Sequence, residues 1–216
     1  MVFCHGFLGW HRKPRLVPFQ EELAKSFSVY SFDFRGHGRS GGASSLGGRE
    51  HLDVEAVAER ARADGLQRLV TFGGSMGGIA AIRHAALVGG VNAVVAVSTP
   101  ARWDGHESAA VRRLLWRTGT FTGRWVLQPM GVPVAPRIEL TEAPGDLVAK
   151  IAPTPLLIAH GRDDPFFEEE EAWTLYAAAG QPKRLLIADR FGHAEDGYTP
   201  AFARAVTRWI SEMVAA

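Results

Sequence analysis

The sequence predicts an α/β fold, an open and mainly parallel sheet of about six strands with helices on both faces and a small cap insertion. Six short apolar, β-branched-rich runs alternate with stretches of helical periodicity or helix-forming composition, the order that parallel strands and crossover helices leave in a chain. The runs are apolar almost without interruption, as strands buried on both faces require. One of them passes through Gly73-Gly74-Ser75-Met76-Gly77 directly into a helical pattern, a strand-to-helix turn typical of α/β architectures.

Strands are expected at residues 2–4, 29–34, 69–72, 93–98, 156–159 and 184–188, and helices near residues 18–26, 50–63, 76–88, 168–179 and 200–214. In the second helix Leu52, Ala56, Val57 and Arg60 fall at helical spacing, and Gly65 lies just past its end. The fourth opens on Glu168, Glu169, Glu170 and Glu171, carboxylates that suit the positive end of a helix dipole. They read as a solvated helix start and not as a metal site. From residue 103 to 145 no strand pattern occurs, and Trp, Arg, Gly and Pro are frequent. An insertion of that length is commonly a binding region, so a small, mainly helical cap is expected over the carboxyl edge of the sheet. Its candidate apolar lining is Trp103, Trp116, Trp125 and Leu127, while Arg112, Arg113, Arg117 and Arg124 read as solvated.

Composition excludes several classes. The 216 residues carry no Pro/Gly/Ser-rich linker and are read as one domain, 1–216, with the cap at 103–145 inside it. Hydrophobic residues make up 46% and charged residues 22%, ordinary globular values, and no apolar run is long enough to span a bilayer. The first residues have neither the basic nor the apolar region of a signal peptide, so a cytoplasmic location is expected. Cys4 is the lone cysteine, which leaves no disulfide framework and no zinc spacing. A net charge of +1 with scattered arginines gives no nucleic-acid footprint.

The chemistry is expected at Ser75. A serine between an apolar strand and a helix, flanked by glycines that remove colliding side chains, is held on a strained turn with its hydroxyl above the sheet. The Met76 amide then opens a helix, where an unpaired donor and the helix dipole can both stabilise an oxyanion. A second donor is expected from Phe7, in the glycine-rich turn His5-Gly6-Phe7-Leu8-Gly9 after the first strand. Right-handed crossovers place the first and third strands side by side, which opens a crevice at their carboxyl ends. Of eight histidines, His193 follows the last strand at that edge and is the candidate base; His5 and His160 read as structural, and His11, His51, His84 and His106, in helical or loop surroundings without a partner, as surface or packing residues. The turn after the fifth strand, His160-Gly161-Arg162-Asp163-Asp164-Pro165, supplies the orienting carboxylate. The turn offers two aspartates, Asp163 and Asp164, and Pro165 restricts the backbone of Asp164 to extended conformations, which helps to fix the direction of its carboxylate. Asp163 is expected to cap the turn or pair with Arg162.

In this order, Ser, Asp, His, the residues resemble the α/β-hydrolase superfamily over nearly the whole chain, and the family pattern H-G-x-x-D implies that Asp164, three residues beyond Gly161, is the acid. Phe32-Asp33-Phe34-Arg35-Gly36-His37-Gly38-Arg39-Ser40 is similar to the family's D-x-R-G-x-G-x-S turn, which is structural there, so Asp33, Arg35 and His37 are not expected to be catalytic. Family members usually have two further strands before the oxyanion strand on which this sequence begins. The resemblance implies a serine hydrolase that cleaves small-molecule carboxylic esters, carboxylesterase-like, with no cofactor and no metal. Thioesterase, perhydrolase and carbon-carbon hydrolase chemistry use the same triad, and a non-catalytic small-molecule receptor can retain it. Oligomeric state is not legible in the sequence.

Overall fold

The computed structural model describes residues 1–103, 132–136 and 142–214. The first apolar run forms β1 (Val2–Cys4), whose alternating side chains enter opposite cores: Val2 and Cys4 one, Phe3 the other. In chain order there follow α1 (Val17–Ala24), β2 (Tyr30–Ser31), α2 (His51–Ala63), β3 (Val70–Gly74), α3 (Met76–Leu87), β4 (Ala93–Val97), α4 (Pro144–Leu147), β5 (Leu156–Gly161), α5 (Glu169–Ala178), β6 (Lys183–Ala188) and α6 (Pro200–Val214). The six strands pair in parallel in the order β2-β1-β3-β4-β5-β6.

The period of two along each strand divides the core into two layers. Val54 and Ala58 of α2, Ile82 of α3 and Leu175 of α5 pack on Val94, Ala96 and Ile158 on one face. Phe19 and Leu23 of α1 and Val206, Trp209 and Ile210 of α6 pack on Phe72, Val95 and Leu157 on the other. In α6 the buried positions, Phe202, Ala203, Val206, Trp209 and Ile210, recur at the spacing of one helical stripe. No helix among the described residues is long and apolar enough to cross a membrane.

The second strand is shorter than its apolar run predicts. Past Ser31 the amides find side-chain acceptors: Phe34 donates to His5 Nε2 at 3.1 Å and Arg35 to Asp53 Oδ2 at 3.0 Å. Those bonds replace ladder bonds and bend the chain out of the sheet. The parallel neighbours β1 and β3 carry the crossovers that leave in opposite directions, so their carboxyl ends form the switch point of the sheet.

Candidate active site

Ser75 stands between β3 and α3 with φ 54° and ψ −120°, a conformation that costs a non-glycine residue about 1–3 kcal/mol. Two contacts hold it there. Its amide donates to Val97 O at the end of β4 at 2.8 Å, and its carbonyl accepts from Ile79 N at 3.0 Å in the first turn of α3. The tight turn also depends on Gly77, where a Cβ would lie 2.2 Å from Cys4 O. That close approach lets α3 start directly behind the turn carrying Phe7.

His193 follows β6 and enters the same crevice. Its Nδ1 lies 2.8 Å from Asp164 Oδ2, at the end of a loop from β5. The carboxylate is fully buried and its second oxygen, Oδ1, accepts from the amides of Phe166 at 2.9 Å and Phe167 at 3.2 Å. Burial alone would raise the Asp164 carboxyl, but the hydrogen bond and charge of His193 and the two amides hold it below the ordinary carboxylate range. An ionised Asp164 fixes Nδ1 as the protonated ring nitrogen, which leaves Nε2 as the acceptor. The rings of Phe166 and Phe167 flank the imidazole, with centroids 4.6 and 5.6 Å away. No hydrogen bond joins Ser75 and His193 among the described residues; both line one crevice of about 260 Å³ together with Gly6, Phe7, Leu8 and Tyr198.

Of the predicted oxyanion donors, Phe7 lines the same space, and Met76 directly follows Ser75 in the chain without being among the residues that line it. Met76 is the first residue of α3, and neither its amide nor that of Phe7 has a backbone acceptor among the described residues. The Phe7 turn is held from behind by His37, whose Nε2 lies 2.6 Å from Phe7 O and whose Nδ1 lies 2.9 Å from Arg35 O. His5 is structural as expected: Nε2 accepts from Phe34 N, so Nδ1 carries the proton and donates to Gly6 O at 2.8 Å. Burial drives its pKa down to about 4, so the ring is neutral at ordinary pH. His160 Nε2 meets Phe167 O at 3.0 Å.

Several expectations are corrected. His11 and His84 have partners, Asp33 Oδ1 at 2.9 Å and Glu55 Oε2 at 2.6 Å. Asp163 does not pair with Arg162, which reaches Glu169 and Asp189 instead; it gives its backbone amide to Phe191 O. Glu171 is no solvated helix start: it is buried and accepts from Ala101 N at 2.6 Å and Arg102 Nη2 at 2.9 Å. Trp103 is partly buried and does not line the crevice at Ser75; Trp116, Trp125 and Leu127, with Arg112, Arg113, Arg117, Arg124 and His106, lie outside the described residues. Of the expected cap, Val134 bridges to Ser44, whose hydroxyl is 3.6 Å from Met76 Sδ. Among the described residues no group of three His, Cys, Asp or Glu could hold a metal ion.

The sequence reading missed four features of the site. Phe166 and Phe167 flank the base, and Ser98 anchors its loop by accepting the Ala194 amide at 3.0 Å. Lys13 and Arg15 reach across to Glu195 and Asp196. Only the phenylalanines left a local signal, since they directly follow Asp164-Pro165.

A parallel sheet with a strained serine at its switch point, faced by a histidine and an aspartate from later loops, defines an α/β protein with a serine-centred crevice. The chain belongs to the alpha/beta hydrolase family, matched over residues 1–215. It is similar to the uncharacterised protein YfhR of Escherichia coli strain K12, 28% identical over 170 residues that make up 76% of this chain and 52% of that protein. The chain thus spans about half the length of the curated relatives it matches. Among solved structures it is similar to an esterase of Pyrococcus furiosus, with TM-score 0.76, 22% identity and coverage of 99% of this chain and 82% of that one. An esterase of Rhodococcus sp. ECU1013 superposes with TM-score 0.75 at 18% identity over 98% of this chain and 90% of that one. A monoacylglycerol lipase of Paleococcus ferrophilus gives 0.69 at 21% identity, over 98% and 93%. At these identities the likeness is one of fold.

Proposed function

We propose that the chain is a serine hydrolase that cleaves small carboxylic esters through an acyl-enzyme. The observation that carries the reading is one crevice lined by Ser75 at positive φ, by His193, whose Nδ1 is 2.8 Å from Asp164 Oδ2, and by Phe7, whose amide, like that of Met76 next to Ser75, has no backbone acceptor among the described residues. Ser75 Oγ attacks the ester carbonyl while His193 Nε2 takes its proton. Asp164 stabilises the imidazolium that forms, and the two amides take the oxyanion. The proton passes to the leaving alcohol, and a water activated by the same histidine releases the acid. Every step uses groups of this chain, so the proposed reaction calls for no cofactor. The esterase names of several fold neighbours support the choice of substrate class.

The test is turnover of p-nitrophenyl acetate and butyrate beside a Ser75→Ala control. Hydrolysis by the wild-type chain and loss of about three orders of magnitude or more in the control are expected. Binding of either ester without turnover by the wild-type chain would instead support a receptor.

A further inference from the structure

Two loops meet across the crevice, one with the Phe7 amide and one with His193, and two ion pairs join them. Lys13 Nζ contacts Glu195 Oε1, and Arg15 Nη1 meets Asp196 Oδ1 at 2.7 Å. All four side chains line the space that Ser75 and His193 share. We propose that the Lys13–Glu195 pair, seconded by Arg15–Asp196, is a positioning device that holds the oxyanion turn in register with the base. The proposal rests on the roles assigned above to Phe7 and His193.

Each end of the device reaches a functional group within a few bonds. Lys13 Nζ also donates to Leu8 O at 3.4 Å, directly after Phe7. Glu195 stands two residues beyond His193, in the short turn Ala194–Gly197. Asp196 uses Oδ2 to accept the His193 amide at 3.3 Å and Oδ1 to accept from Arg15. On the sheet side the two loops have separate anchors, His37 to Phe7 O and Ser98 to Ala194 N. The ion pairs add a link that runs directly from one loop to the other.

The inner pair carries most of the effect. The Lys13 and Glu195 side chains are 20% and 26% exposed, whereas those of Arg15 and Asp196 are 67% and 42% exposed and more fully screened. A different use of Lys13 and Arg15 would be to recruit an anionic substrate. Both cations already face carboxylates, however, so the wall they form is compensated and favours uncharged esters.

The test uses the full chain and the variants Lys13→Met, Glu195→Gln, their double and Lys13→Arg. With p-nitrophenyl butyrate, each single neutral variant is expected to lose about tenfold in kcat with KM within about twofold. The double should be no worse than the poorer single, because both remove one interaction. Lys13→Arg should keep kcat within about threefold of wild type. Hydrogen–deuterium exchange of residues 189–199 should speed up in Lys13→Met, although the substitution lies on the other loop. Losses that multiply in the double, or kcat unchanged while melting temperature falls, would overturn the proposal. So would a Lys13→Met defect confined to the KM of a carboxylate-bearing ester. If the wild-type chain hydrolyses no ester, the functional reading fails by itself, and the exchange measurement still decides whether the loops are coupled.

Discussion

Asp164 divides its two oxygens between two tasks: Oδ2 faces His193 Nδ1, and Oδ1 caps the turn through the Phe166 and Phe167 amides. The division makes substitutions separable. Asp164→Asn can keep a carbonyl oxygen for the two amides while turning its NH₂ toward the imidazole, which forces the wrong tautomer. It should lower kcat by about three to four orders of magnitude with little change in melting temperature. Asp164→Ala loses both tasks and should lower activity and stability together. Asp163→Asn should cost about tenfold or less, since among the described residues only the backbone amide of Asp163 is engaged, with Phe191 O. Side-by-side kinetics and thermal melts of the three variants check this; a crippled Asp163→Asn beside a near-normal Asp164→Asn would reverse the assignment. The position of Asp164 was legible because Pro165 fixes the backbone before it and a glycine ends the strand. The fate of Arg162 was not, since Glu169 and Asp189 reach it from separate elements and no local pattern announces them.

The turn between β3 and α3 is crowded on both faces, and its second face is the less obvious. A Cβ on Gly74 would lie 2.2 Å from Tyr198 Oη and 3.1 Å from the Ala194 Cβ. Tyr198 is held in place by stacked and edge contacts with Phe19, Phe72 and Phe202, so it cannot yield freely. Gly74→Ala should therefore cost about 1–3 kcal/mol and lower kcat by displacing the Ala194 turn next to His193. Removing the hydroxyl makes room, so Gly74→Ala combined with Tyr198→Phe should recover part of both losses. Denaturant melts and ester kinetics on the four proteins would show it, and strictly additive losses would contradict the contact. Elements with strong local patterns, such as α6 and β4, were readable to within a residue or two. The extent of β2 was not, because Asp53 and His5 take the amides that would have lengthened it; the bounds of α5 were readable, but the role of Glu171 was not, since it turns inward to cap the chain leaving β4.

The sheet order was legible because crossover handedness leaves few ways to wind six parallel strands, and a serine turn at the third strand then falls at the switch point. Stability also depends on the protonation of buried imidazoles, His5 above all. His5 directly follows β1, lines the crevice, and accepts from Phe34 N through a ring nitrogen that is an acceptor only in the neutral ring. Its pKa in the fold, about 4, lies below the unfolded value near 6.5. Between these values the unfolded chain binds more protons than the folded one, so stability rises with pH there. The contribution is fully present above about pH 6.5 and is lost as pH falls toward 4, with a total on the order of 3 kcal/mol. His51 and His84, also pushed down chiefly by burial, act with the same sign. A His5→Gln variant isolates the His5 share: it should be less stable than wild type at pH 7.5, and the gap should narrow as pH is lowered to about 4.5. Urea unfolding of both proteins across that range measures the difference. A gap that stays constant with pH would mean that His5 does not change protonation on unfolding.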